Sequence, residues 1–192
     1  MTVRTAVRDL CWSQNQVSNI ILATAGALGL ALLSQVRIHI PGDPVPVTLQ
    51  VLAVILLGGL LGPRLAVAAV AEYLLFGLCG LPVFTGLAGG LGTLLGATGG
   101  YLFGFLPAAM VCGAIYQRVA GQGYARRVTG AAVAGLIGVG IIYLAGWLWL
   151  ACWGHIGLIK AFELGVVPFI VADILKVSAA ATALALRRKG AA

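Results

Sequence analysis

Charged residues are scarce in this chain of 192 residues. It contains 12 lysines and arginines, five aspartates and glutamates and two histidines, so only 9% of its residues are charged. A soluble domain has roughly 25%. The few acidic residues and histidines are not clustered, so the sequence offers no set of metal ligands and no pairing of nucleophile and base. It therefore argues against a metal site and against an integral-membrane enzyme.

Cysteine is also rare, and its spacing excludes further classes. Cys11, Cys79, Cys112 and Cys152 stand far apart, so they predict neither a disulfide framework nor a metal site. Glycine is abundant at 28 residues, yet no GK[ST] follows the glycine-rich stretch, so a phosphate-binding loop is not indicated. Any ATP hydrolysis coupled to this chain must come from a partner.

Apolar residues make up 61% of the chain, and the mean hydropathy is +1.06. Several apolar runs approach the roughly 20 residues needed to span a bilayer. We therefore predict an all-α, polytopic membrane protein with six transmembrane helices in a single domain, 1–192, in which a cytoplasmic N-terminal segment, 1–16, precedes a six-helix bundle, 17–188. The six segments are about 17–36, 48–61, 65–78, 101–119, 128–152 and 168–189. A short interfacial helix at about 155–164, ended by Gly165, is predicted before the last of them.

The basic residues predict the orientation in the membrane. Six spans place both termini on one side, with nine basic residues there against two, Arg37 and Lys160, on the other. The positive-inside rule then places both termini in the cytoplasm. We therefore expect a multi-pass protein of the cytoplasmic membrane. The net charge of +7 is explained by this topology and by contact with membrane lipid, and no nucleic acid is needed to account for it. The nine residues are Arg4, Arg8, Arg64, Arg118, Arg126, Arg127, Arg187, Arg188 and Lys189.

Two charges interrupt the last apolar segment. Asp173 and Lys176 are three residues apart, so they share one face of a helix. A charge at membrane depth costs at least about 2.5–3.5 kcal/mol, and such residues usually face a bundle interior or a polar ligand. The pair is either a ligand site or a structural ion pair. A third charge within an apolar segment, Glu72, faces either the bundle or an interface, and the sequence does not decide which.

Two stretches cannot be regular helices. The run 37–47, RIHIPGDPVPV, has three prolines and a glycine, and it predicts a stiff extended loop that is a candidate lid. The run 77–100 has nine glycines and is too apolar for a soluble loop. Irregular backbone near membrane depth is tolerated where it is buried or lines a cavity, so this run is either a ligand-binding segment or a compact re-entrant connection.

Small residues recur at a spacing of four in two places. Gly96, Gly100 and Gly104 predict close helix packing. Ala23, Ala27 and Ala31 predict either packing within this bundle or a docking face for another membrane protein.

Four motifs together resemble the BioY family, the biotin-binding S components of energy-coupling factor (ECF) vitamin transporters. They are PVPVTLQ at 44–50, LGPR at 61–64, GLPVFTGLAGGLGTLLGATGGYLFGF at 80–105 and GVVPFIVADILK at 165–176. Each motif alone is modest, but their ordered combination is specific, and the resemblance covers about residues 15–188.

The resemblance implies a biotin cavity near the outer surface, beneath the loop between the first two helices. It implies an ECF transmembrane coupling protein and two ABC-type ATPases as partners, with biotin as the transported ligand and no cofactor. In that family the alanine face of the first helix contacts the coupling protein, so Ala23, Ala27 and Ala31 become the expected docking face. Whether the chain forms homo-oligomers is left open.

The resemblance also implies site residues. Asp173 and Lys176 correspond to the polar pair of the family, and we expect both to contact biotin. Which end of biotin each residue contacts is left open. The family's amide within the glycine stretch is missing here, so Thr85, the backbone or a different contact replaces it. The other expected ligand contacts are of three kinds. Hydrogen-bonding groups come from Thr48, Gln50, Thr85 and Tyr101, and an apolar wall comes from Phe84 and Phe169. The backbone contributes at Gly86, Gly89 and Gly90.

Two further functions remain open from the sequence. One is an S component for another vitamin. The other is a self-sufficient secondary transporter, although no internal repeat of the kind common in that class is visible.

Overall fold

The computed structural model describes residues 16–38 and 45–187. Six helices of 12 or more residues form the bundle in this part of the chain, joined by two shorter helices, a 3-10 turn and a pair of two-residue strands. In chain order the elements are α1 Gln16–Gln35, β1 Arg37–Ile38, β2 Val47–Thr48, α2 Gln50–Leu61, α3 Pro63–Leu78, α4 Leu91–Leu94, α5 Gly99–Val119, α6 Tyr124–Trp153, α7 Leu158–Gly165, the 3-10 turn Val167–Phe169 and α8 Ile170–Leu186. The predicted helical fold is thus confirmed.

Three of these helices are long and apolar enough to cross a membrane by themselves, namely α1, α5 and α6. The apolar helix α2 is shorter, with 12 residues. The count of six spans and the cytoplasmic position of both termini remain predictions. The N-terminal segment, the centre of the proline-rich loop and the basic residues Arg188 and Lys189 lie outside the described residues.

Short turns with glycine and proline set the helix ends. Gly62 separates α2 from α3, and Pro63 occupies the first position of α3, where its missing N–H costs no helical hydrogen bond. Gly165 ends α7, as the sequence predicts, and Pro168 lies in the 3-10 turn that leads into α8. These turns place the start of α8 beside the ends of α5 and α6.

The predicted glycine stripe explains how α5 and α6 pack closely. A Cβ atom at Gly100 would lie only 2.6 Å from the carbonyl oxygen of Ala145, and one at Gly104 would lie 3.2 Å from the Cα of Ile142. At Gly100 a larger residue would force the two helices apart, and at Gly104 the fit would be tight. Gly96 instead faces its own segment, so two of the three predicted positions form the contact with α6.

The alanine stripe of α1 lies largely within the bundle, and the docking of a partner membrane protein on this face stays a prediction. Ala23 and Ala27 are 2% and 0% exposed, and Ala31 is partly buried against the main core. The helix α1 packs chiefly against α3, and a Cβ atom at Gly26 on the same face would lie 2.9 Å from the Cβ of Ala69 in α3. Small side chains are needed here to let these two helices of one bundle approach.

Both irregular stretches are irregular in the structure. In the proline-rich loop, Arg37–Ile38 pairs antiparallel with Val47–Thr48, which brings the two ends of the loop together. The glycine-rich stretch leaves α3, makes a bridge between Phe84 and Ala88, and contains only the single turn α4 before α5. Residues of both segments line one cavity, together with residues of the helices.

Candidate ligand-binding site

A cavity of about 230 Å³ lies between the helices and the two irregular segments. It is close to the lower end of the range of roughly 300–1,000 Å³ for small-molecule pockets. Most of its lining surface is apolar, and polar groups come from β1, β2, α2, the glycine-rich stretch, α5, α6 and α8. The lining residues are Arg37, Val45, Pro46, Thr48, Gln50, Val51, Phe84, Thr85, Thr93, Thr98, Tyr101, Leu102, Phe105, Ile142, Tyr143, Phe169, Asp173 and Lys176.

A buried ion pair occupies the wall that α8 contributes. The Nζ atom of Lys176 lies 2.6 Å from Oδ1 of Asp173, and the side chains are only 9% and 4% exposed. The hydroxyl of Tyr143, from α6, donates to Oδ2 of the same carboxylate at 2.6 Å. The helical spacing of three residues therefore produces the contact that the sequence predicts, and Tyr143 completes it from another helix.

This triad leaves hydrogen-bonding capacity toward the cavity. An ammonium group has three donors, and Asp173 uses only one of those on Lys176. A carboxylate has about four lone-pair positions, of which Lys176 and Tyr143 use two. The site can therefore donate to an acceptor and accept from an N–H of the same ligand without breaking the ion pair.

A second polar group is centred on the amide of Gln50, at the start of α2. Its Oε1 accepts hydrogen bonds from Thr48 at 3.0 Å and from Thr85 at 3.2 Å. Its Nε2 donates to the hydroxyl of Tyr73 at 2.6 Å. The threonine at the end of the proline-rich loop and the threonine of the glycine-rich stretch are thus tied to one buried amide.

Aromatic rings supply much of the apolar wall. The rings of Tyr101 and Phe169 lie 6.5 Å apart and tilted by 57°, while Phe84 packs edge-on against Tyr73 with centroids 5.4 Å apart. The hydroxyl of Tyr101 donates to the carbonyl oxygen of Gly165 at 2.7 Å. Tyr101 therefore offers its ring to the cavity, and its hydroxyl is already engaged with the backbone.

The end of α1 fixes the part of the glycine-rich stretch that enters the cavity. Ser34 donates to the carbonyl of Val83 at 2.7 Å, and the amide of Gln35 donates to the carbonyl of Phe84 at 3.1 Å. The backbone N–H of Leu87 donates in return to Gln35 at 3.0 Å. These bonds hold Phe84 and its neighbour Thr85 toward the cavity.

The three glycines named as ligand contacts shape this segment and do not belong to the lining. Gly86 and Gly90 have φ angles of +77° and +86°, which other residues rarely adopt. A Cβ atom at Gly89 would collide with the carbonyl oxygen of Leu81. A ligand contact by the backbone of these residues stays a prediction.

Arg37 brings a second cation to the cavity. It is the first residue of β1, its side chain is exposed, and its guanidinium lies against Gly86. The ion pairs found within residues 16–38 and 45–187 are Lys160–Glu163 and Asp173–Lys176, so Arg37 has no carboxylate partner in this part of the chain. Within residues 16–38 and 45–187, the cavity therefore has one cation paired with a carboxylate, Lys176, and one without a carboxylate partner, Arg37.

Of the predicted residues, Thr48, Gln50, Phe84, Thr85, Tyr101, Phe169, Asp173 and Lys176 line one cavity. Sequence reasoning missed Tyr143 and Arg37 as site residues. A tyrosine within the apolar fifth segment was the available signal for the first. Arg37 stood out only as one of the two basic residues on the sparsely charged side.

Comparison with known proteins agrees with this architecture. The family model described as BioY family matches residues 4–191. The chain belongs to the BioY family. It is 44% identical over 165 residues to a protein of Pyrococcus horikoshii named "Probable biotin transporter BioY", covering 85% of this chain and 93% of that protein. It is 40% identical over 168 residues to the "Biotin transporter BioY" of Thermotoga maritima, covering 88% and 95%.

A solved structure has the same fold. The crystal structure of the S-component for biotin from an ECF-type ABC transporter matches with a TM-score of 0.83 and 28% identity, covering 93% of this chain and 95% of that one. The similarity to the BioY family therefore spans nearly the whole chain. The chain is a membrane protein of a transporter family.

Proposed function

We propose that this chain captures biotin in the cavity described above and delivers it for uptake. It acts as the membrane substrate-binding subunit of an ECF-type ABC transporter in the cytoplasmic membrane. The observation that carries the proposal is the buried Asp173–Lys176 pair facing a small, mostly apolar cavity in a chain of the BioY family. A transmembrane coupling protein and two ABC-type ATPases supply the energy.

The chemistry of biotin matches the cavity group by group. Biotin has a urea-like edge with two N–H donors and a carbonyl acceptor, an apolar thioether ring and a carboxylate on a flexible chain. A cavity that selects it needs an acceptor beside a donor, an apolar wall and a cation. In the proposed complex, Asp173 accepts a ureido N–H and Lys176 donates to the ureido carbonyl. Tyr101 and Phe169 cover the thioether ring.

The carboxylate is assigned to Arg37. Because Lys176 is already neutralised by Asp173, a second carboxylate beside it would face a compensated charge and a competing anion. Arg37 is exposed, lines the same cavity and has no carboxylate partner among the described residues. Biotin thus enters with its ureido ring first and leaves its carboxylate near the proline-rich loop.

Calorimetry with purified protein in detergent tests the function. We expect biotin to bind wild type tightly in this experiment. In a separate competition assay, unlabelled biotin at micromolar levels should displace a radiolabelled biotin tracer, whereas other vitamins should not. A folded wild type that binds no biotin would overturn the proposal. The chain alone in liposomes, without ATPases, should bind biotin but not accumulate it. Accumulation would favour a self-sufficient transporter.

A ligand lacking the charge tests the orientation. Charge-assisted hydrogen bonds contribute about 1.5–3 kcal/mol, so Arg37→Ala should weaken biotin binding by about ten- to a hundredfold. Biotinamide, which lacks the carboxylate, should bind the Arg37→Ala variant and the wild type about equally. If Arg37→Ala weakened both ligands alike, Arg37 would hold the loop and not the carboxylate. Arg64→Ala, on the same chain but outside the cavity, is the matched control.

A further inference from the structure

Two arginines lie where the ends of α2, α6 and α8 meet. Arg127 is in the first turn of α6, and Arg187 directly follows α8. The Nη1 atom of Arg127 donates to the carbonyl oxygen of Arg187 at 3.0 Å. The Nη1 atom of Arg187 donates in turn to the carbonyl oxygen of Leu60, in the last turn of α2, at 3.5 Å. These bonds hold both side chains at one corner of the bundle, which we call the Arg127–Arg187 cluster.

The cluster is remote from the cavity proposed for biotin. Neither arginine lines that cavity, and Arg187 is eleven residues beyond Lys176, or about 16 Å at 1.5 Å per residue of helix. The helix α2 likewise begins at the cavity with Gln50 and ends beside the cluster. The proposed function therefore gives these two cations no role.

No carboxylate in the described part of the chain compensates the cluster. Both ion pairs found there involve lysines. Glu72, which belongs to neither pair, accepts a hydrogen bond from the hydroxyl of Thr24 at 2.9 Å, between α3 and α1. The helix dipole adds to the imbalance, because the start of α6 disfavours a cation and its first turn has no acidic residue.

Both guanidinium groups keep hydrogen-bonding capacity beyond these structural bonds. Each has five N–H donors, and each uses one on a backbone carbonyl of the cluster. The Nε atom of Arg127 is enclosed and has no hydrogen-bond partner among residues 16–38 and 45–187. A donor left in this way is unfavourable, so the cluster favours an anionic acceptor. A phosphate group is such an acceptor, since guanidinium groups bind it through two parallel hydrogen bonds.

The surroundings of the cluster indicate a lipid as the source of the phosphate. Leu60 and Leu186 are 42% and 67% exposed, and Tyr124, at the start of α6, is 52% exposed. In a membrane protein, such leucines at helix ends contact acyl chains, and tyrosines are enriched where the hydrocarbon meets the headgroups. Basic pockets between transmembrane helices bind anionic headgroups. We propose that the Arg127–Arg187 cluster binds the phosphate of an anionic phospholipid.

A lipid competition experiment on the whole protein tests this proposal. Purified protein in detergent is mixed with equal amounts of phosphatidylglycerol and phosphatidylcholine, and the bound lipids are counted by native mass spectrometry. Each basic residue near a membrane surface contributes roughly a fivefold preference for anionic lipid, so we expect wild type to prefer phosphatidylglycerol by about thirtyfold. Equal binding of the two lipids overturns the proposal.

Variants distinguish a site from diffuse attraction between a basic surface and anionic lipid. Arg127→Gln and Arg187→Gln should each reduce the preference to about fivefold, and the double variant should abolish it. Arg118→Gln is the matched control, because Arg118 is exposed near the end of α5 and takes no part in the hydrogen bonds of the cluster. It should keep the wild-type preference. If it lowers the preference as much as Arg127→Gln does, the attraction is diffuse and the proposal is wrong.

Folding and the source of the phosphate are checked in the same preparation. Arg187→Gln removes only the longer of the two bonds, so its thermal midpoint should match that of wild type. An unchanged preference in this folded variant contradicts the proposal. Inorganic phosphate in excess should not displace phosphatidylglycerol, because it has no acyl chains to contact Leu60 and Leu186. Displacement would mean a free-phosphate site and would overturn the assignment to a lipid.

One competing occupant is the carboxylate of Asp9, which lies outside the described residues. The variant Asp9→Asn distinguishes the two cases. If the preference for phosphatidylglycerol arises only in this variant, Asp9 occupies the cluster in the native chain and the proposal is wrong. The same preference in both proteins supports a cluster that is open to lipid.

Discussion

The Asp173–Lys176 pair allows a test that separates its structural role from its binding role. The two atoms are 2.6 Å apart, and both side chains are almost fully buried. Removing one partner of a buried pair leaves an uncompensated charge and costs about 3–5 kcal/mol. Lys176→Met and Asp173→Asn should each lower the thermal midpoint. The double variant should recover most of the loss, because it carries neither charge and its new amide oxygen can still accept from Tyr143.

The exposed pair Lys160–Glu163 provides the matched control. It has the same spacing of three residues, with Nζ and Oε2 separated by 3.3 Å, but its side chains are 62% and 56% exposed. Exposed pairs contribute about 0–1 kcal/mol, so Lys160→Met should leave the thermal midpoint nearly unchanged. The contrast between the two lysines measures the effect of burial.

Biotin calorimetry on the same proteins gives the second readout. All three site variants should bind biotin at least about tenfold more weakly, including the double variant whose stability is restored, because each replaces a charged partner of the ureido group by a neutral side chain and so weakens or removes that hydrogen bond. A stable double variant with wild-type affinity would refute the binding role and leave a purely structural pair. A Lys176→Met variant as stable as wild type would refute the reasoning about buried charge.

Three further changes test neighbouring features. Tyr143→Phe should weaken biotin binding several-fold by loosening the acceptor carboxylate, measured by calorimetry. Tyr101→Phe should lower stability by about 1–3 kcal/mol, because the buried carbonyl of Gly165 loses its donor, with little change in biotin affinity since the ring remains. Gly100→Val should lower stability by about 1–3 kcal/mol by forcing α5 from α6, whereas Gly140→Val, with nothing within 4 Å of its Cβ position, should not.

Much of the helical framework follows from local sequence signals. Apolar length, the Gly62–Pro63 turn and Gly165 predict the helices and most of their ends, because those features act within one segment. The Asp173–Lys176 contact is predictable for the same reason, since helical geometry alone brings residues three apart together.

Contacts between segments were harder to predict. The stripe at Ala23 and Ala27 looks the same whether the partner is another protein or another helix of the same chain. The packing of α1 on α3 shows that Ala23 and Ala27 contact another helix of the same chain, which the spacing alone does not reveal. Tyr143 and Arg37 were missed as site residues for a related reason. Their roles depend on which elements the fold places opposite α8 and the glycine-rich stretch.

The glycine-rich stretch lacks the amide side chain that the family resemblance implies there, and we expect the amide of Gln50 to supply this contact. Thr85 stands in that stretch, and its hydroxyl is bonded to the amide of Gln50, which comes from α2. The amide also accepts from Thr48, so it is held at the cavity by both irregular segments. Gln50 therefore places an amide in the lining of the cavity, although it belongs to α2 and not to the glycine-rich stretch. For this reason, we expect Gln50→Leu to disturb biotin binding more than Thr85→Val, because it removes the centre of the network and not one branch.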